Sequence, residues 1–215
     1  MRFQKIRGIK RRNRSIRKWV SNNLTCRFDI LEKYHEDHCD IVVHPWCDIS
    51  LINSAIPVPR GATKLLMLKG LIEIYHAWKQ QLNTYGEPYY LKIWLFEPRF
   101  ELSRVMCAIN RIKQQRESEI TGFQIGALPN NVFTSAQPYL KDFTWSRIDD
   151  QDFHSNDDLG TPDNYVSFDA YLEDKKWIEK IMSRTPHTIT KRQNSNGTIS
   201  LIYGFRRGSL WVGEA

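Results

Sequence analysis

The chain has 215 residues, 41% of them hydrophobic and 26% charged, with a formal net charge of +7. Seven Trp, nine Tyr and ten Phe exclude wholesale disorder, and a chain of this length buries roughly 70% of its extended surface without a metal or disulfide. No apolar run approaches the ~18 residues of a bilayer span, and no apolar segment follows the N-terminal charges as in a secretory signal.

Charge is concentrated at the start. Residues 1–18 hold nine Lys or Arg and no acid, so the other 197 residues sum to 7 − 9 = −2. At about 100° per residue, Ile6, Ile9, Ile16 and Val20 share one sector with Trp19 at its edge. Arg7, Arg11, Arg14 and Lys18 fall on the opposite side. The pattern predicts a basic amphipathic helix or arm over residues 1–22, ahead of a single α+β domain over 23–215.

Along that domain, DIVVHPW (40–46) reads as a short strand stopped by Pro45. Residues 63–82 form the strongest helical pattern. Leu65, Leu68, Leu71, Ile72, Tyr75, Trp78 and Leu82 recur at three and four, and Leu66, Met67 and Ile74 widen the stripe toward a central helix. A strand follows over 89–96, apolar on both faces as central strands are, and pairs with a second strand over 103–109. Residues 110–119 are charged and weakly helical. The Gly-, Asn-, Pro- and Asp-rich stretch 121–162 reads as irregular apart from one strand at 143–148. Ser167 is placed to cap a helix over 168–183 with Phe168, Tyr171, Leu172, Ile178, Ile181 and Met182 inward. The chain ends in an expected hairpin, 199–205 and 210–212, turning at Arg206-Arg207-Gly208-Ser209. Elements mixed without βαβ alternation point to an α+β fold, its mainly antiparallel sheet packed by two principal helices beside the basic N-terminal one.

Three constellations carry candidate chemistry. In the first, Arg7, Arg11, Arg12, Arg14, Arg17 and Lys18 suit nucleic-acid phosphates, and Trp19 suits either stacking on a base or inward packing. Arg111, Lys113, Arg116, Arg206 and Arg207 extend such a surface if they lie nearby. The alternative is a protein-interaction module, immunity- or antitoxin-like, that grips an acidic protein partner. In the second, His35, His38, His44 and Cys47 are of zinc-ligand type, with Cys39 and three aspartates among them, but their spacing is not that of a zinc finger. On that cluster alone rests the reading as a metal-dependent hydrolase, and zinc is its only candidate cofactor. In the third, Asp149, Asp150, Asp152, Asp157, Asp158 and Asp163 surround His154 in an expected acidic loop. Such a loop is solvated, holds Mg²⁺ or Ca²⁺, or docks on the basic helix. No Walker loop, GxGxxG, GxSxG or HExxH motif is present, so a non-enzymatic binding protein is the expectation. Cys26, Cys39, Cys47 and Cys107 form no paired framework, which suits reduced thiols and a cytoplasmic location. Cys107, in an apolar strand, reads as a small buried hydrophobe.

Four stretches together, KIRGIKRR (5–12), PRGATKLLMLKGLIEIYHAWKQQL (59–82), YYLKIWLFEPRF (89–100) and FRRGSLWVG (205–213), resemble an uncharacterised bacterial family catalogued as a domain of unknown function. The resemblance implies a bacterial or phage-borne cytoplasmic protein. It carries no activity, cofactor or site residue.

Overall fold

The computed structural model describes residues 4–33, 40–45, 60–85, 89–108, 123–155 and 162–215, with the backbone alone for a few of them, residues 4–9 included. Its elements are helices α1 (Gln4–Asn23), α2 (Phe28–Lys33), α3 (Gly61–Tyr85), α4 (Gln137–Leu140) and α5 (Phe168–Met182), and strands β1 (Asp40–Val43), β2 (Tyr90–Glu97), β3 (Arg104–Ala108), β4 (Phe123–Gly126), β5 (Thr144–Ser155), β6 (Thr188–Gln193) and β7 (Ile199–Glu214). This is the α+β fold the sequence predicts, and each strand pair with a described register is antiparallel. The chain divides into two compact units, residues 1–148 with 209–215 and residues 149–208. Helix α1, which the sequence gives as a basic helix or arm ahead of the domain, belongs to the first.

In the first unit the strand order is β1-β3-β2-β7-β5-β4. Strand β2 lies between β3 and β7, with Ile93 facing Val105 on one side and Gly213 on the other. One sheet face carries Leu91, Ile93, Leu95, Val105 and Cys107 into a core with Met67, Leu68, Leu71, Ile74, Tyr75 and Trp78 of α3. On the opposite face Trp94, Phe96, Leu210 and Val212 form a second buried cluster, with the Arg104 guanidinium 5.0 Å from the Trp94 ring centroid. Burial on both faces is what a strand apolar at every position but Lys92 and the terminal Glu97 requires.

Cys107 is fully buried, and the Cys26 thiol meets it from the segment after α1. The hydrogen bond between the two thiols and then burial push the pKa of Cys26 upward, since neither favours a thiolate. Both thiols are therefore expected to resist iodoacetamide at pH 8 in the folded protein and to react on unfolding. Mass spectrometry of peptides labelled with and without urea checks this.

In the second unit β6 pairs with the first half of β7, Thr188 facing Gly204 and Gln193 facing Ile199. Helix α5 begins where the sequence places it, with Ser167 Oγ accepting from Ala170 N at 3.2 Å. Ile181 is buried as expected, whereas Phe168 is 62% exposed and stacks on Tyr171. A first-turn residue projects back past the helix start rather than over its later turns.

Two expectations near the C-terminus are corrected. The hairpin turn at Arg206–Ser209 does not form, because β7 runs unbroken from Ile199 to Glu214. Nor does an acidic loop begin at Asp149, because β5 extends to Ser155. Each correction explains the other. Successive strand residues point to opposite faces, so Arg206 meets Asp149 at 2.6 Å while Arg207 reaches Asp152 at 3.1 Å and Asp150 at 3.4 Å. Charges that look like loop residues singly become a cross-strand ladder when matched.

Candidate nucleic-acid interface

Helix α1 is fixed along one side. Ile16, Trp19 and Val20 are 1%, 5% and 7% exposed and join the core of the first unit. A glycine permits their approach to α3. A Cβ at Gly70 would stand 2.5 Å from Val20 Cγ2 and 3.4 Å from Trp19 Cζ3. The last turn of α1 is closed by side chains of α3. Trp78 Nε1 donates to the Asn23 carbonyl at 2.8 Å, and Gln81 Nε2 donates to Leu24 O at 2.7 Å. Gln81 Oε1 also accepts from Cys26 N at 3.2 Å. Carbonyls that a helix end leaves unpaired are thereby satisfied.

This contact sets up a prediction. Gly70→Ala gains up to ~1 kcal/mol of helix propensity but drives a methyl into Val20, whose branched side chain is stiff at χ1. The expected result is a net loss of about 1 kcal/mol in a urea melt. Adding Val20→Ala should remove most of the interaction penalty, leaving the two losses non-additive.

Opposite the docked side, Lys10, Arg11, Arg14, Arg17 and Lys18 are all exposed. On a helical wheel they occupy an arc of about 120°, centred nearly opposite the Ile16, Trp19 and Val20 sector. Among the described residues no ion pair engages any of the five. The helix itself contains no acid, so the ridge is a one-sign surface on a rigid support.

The residues predicted from sequence separate clearly. Arg11, Arg14, Arg17 and Lys18 stand on the ridge, joined by Lys10. Arg12 lies on the inner flank, half-buried. Arg7 is in α1, but its side chain lies outside the described residues. Of the two readings of Trp19, the structure takes inward packing, with its ring buried against α3. Arg111, Lys113 and Arg116 also lie outside the described residues. Arg206 and Arg207 belong to the second unit, where they hold the β5 carboxylates.

Of the expected zinc ligands, His35, His38 and Cys47 lie outside the described residues, as does Cys39. His44 is half-buried directly after β1. Among the described residues no group of three His, Cys, Asp or Glu is placed to hold a metal. Asp157 and Asp158 are likewise outside, and Asp163 sits in a short 3-10 turn, Pro162–Asn164.

Glu97, the last residue of β2, borders a cavity of about 270 Å³ at the start of α3. Lys64 lines it, its ammonium 4.7 Å from the Phe133 ring centroid and 5.2 Å from that of Phe100. Burial lowers the Lys64 pKa, and the charges of Glu97 and Glu101 oppose that shift. The cation thus lies half-buried against two rings, unlike those on α1.

No helix among the described residues is long and apolar enough to cross a membrane. No protein-family model, curated protein or solved structure matches the chain.

Proposed function

We propose that this protein binds nucleic acid by its phosphates, through the outward face of α1. The observation that carries the reading is the division of one helix into two faces. Ile16, Trp19 and Val20 pin it to the body, and Lys10, Arg11, Arg14, Arg17 and Lys18 stand clear of it. At 1.5 Å per residue the ridge is about 12 Å long, a length over which duplex DNA presents about seven phosphate charges. Arginine outnumbers lysine three to two on it, and a guanidinium fork meets phosphate oxygens in pairs. Such contacts position a protein on the backbone without reading bases, so binding is weak in sequence preference and steep in salt.

The test is the ratio of absorbance at 260 and 280 nm for protein purified at low salt, before and after a high-salt wash. Nucleic acid that co-purifies and leaves with salt supports the reading. Protein free of nucleic acid at low salt counts against it.

A further inference from the structure

We infer that the edge of β6 facing away from β7 is a docking site for an extended acidic peptide segment of a protein partner, which adds to the sheet as a further strand. The inference concerns the second unit alone and does not depend on the phosphate-binding ridge.

Strand β6 pairs with β7 along one side, and no described strand pairs with its other side. The hydrogen-bond phase of the hairpin identifies which groups face outward. Asn194 N donates to Thr198 O at 2.9 Å, which makes that pair hydrogen-bonded. Antiparallel pairing alternates, so Arg192–Ser200, Thr190–Ile202 and Thr188–Gly204 are the bonded pairs toward β7. Ile189, Lys191 and Gln193 then direct their backbone N–H and C=O groups to the open edge. All three are exposed, Ile189 by 59%. An edge of this kind is a template for another strand.

Charge selects the occupant. Strands β6 and β7 carry no acidic residue before Glu214, and Lys191 stands exposed on the edge strand itself. Lysine on an edge repels a second copy of the same edge and attracts a segment with carboxylates opposite it. A phosphate backbone answers the cations less completely. Outward carbonyls need donors, which a peptide N–H supplies and a phosphate oxygen does not. The register further specifies an acid opposite Lys191 and an apolar residue opposite Ile189.

The test uses a fluorescein-labelled peptide containing Glu-Glu-Thr-Val-Thr, with a Lys-Lys-Thr-Val-Thr control, in anisotropy titrations against the full chain. We expect the acidic peptide to bind and Lys191→Glu to weaken it by about fivefold. Lys191→Pro should abolish binding while leaving the circular dichroism unchanged, since the N–H it removes faces outward. N-methylation of alternate probe residues should also abolish binding, a result that does not depend on how a protein variant folds. Glutamine at Arg11, Arg14, Arg17 and Lys18 should leave peptide affinity unaltered, which separates this site from the ridge. Absent binding, equal binding of the lysine peptide, indifference to N-methylation, or displacement of the peptide by an oligonucleotide that Lys191→Glu also weakens would each overturn the inference.

Discussion

Replacing Arg11, Arg14, Arg17 and Lys18 together with glutamine is expected to flatten the salt dependence of nucleic-acid binding by about 3–4 units, at ~0.9 unit per duplex phosphate contact. Across a fourfold rise in salt, a slope difference of ~3.6 units corresponds to roughly 150-fold in affinity. The four side chains are exposed, so their replacement should leave the fold intact, and circular dichroism of the variant checks this. Glutamine keeps much of the length and hydrogen-bonding capacity while removing charge, so the change reads electrostatics. Anisotropy of a labelled duplex over a salt series measures both slopes. Equal slopes in the two proteins would place the binding elsewhere.

The largest expected loss of stability comes from one methyl group. Gly213 pairs with Ile93 in the sheet, and a Cβ there would stand 2.6 Å from Cζ3 and Cη2 of Trp145. That indole is fully buried and its Nε1 donates to Leu140 O at 3.3 Å, so it cannot swing aside as a flexible chain end does. Gly213→Ala is expected to cost at least ~3 kcal/mol, the upper end of the range for overpacking a tight core. At about 2–4 °C per kcal/mol for a protein this size, the melting temperature falls by roughly 6–12 °C. Calorimetry checks it. A drop of less than a degree would mean that the β5–β7 contact is looser than described.

What could be read from the chain followed the strength of its hydrophobic period. Helix α3 and strand β2 were legible because their inward residues recur without exception, and the structure buries Leu68, Leu71, Tyr75, Trp78, Ile93 and Leu95. The docked side of α1 was legible through Ile16 and Val20, but Trp19 carried two readings until α3 was placed beside it. The second half of β5 was hidden because TWSRIDDQDFHS shows no apolar alternation. Its side chains are matched electrostatically, by Arg206 and Arg207, and a matched charge is visible only once the strands are adjacent. Strand β6 was hidden for a related reason. TITKRQ is exposed nearly throughout, so nothing in it marks an inward face. The cavity beside Lys64 needed residues as distant as Glu97 and Phe133 to converge, and spacing along the chain carries no sign of that.

The central claim is that α1 offers one rigid face of cations to phosphates. Equilibrium binding of a labelled oligonucleotide of random sequence to the unmodified protein tests it most directly, by anisotropy over a series of salt concentrations. The account predicts binding at low salt that weakens with a slope of about −4 to −5, from five ridge cations at ~0.9 each, and that changes little between unrelated duplex sequences. No anisotropy change at tens of micromolar protein, or binding that salt leaves untouched, would contradict it.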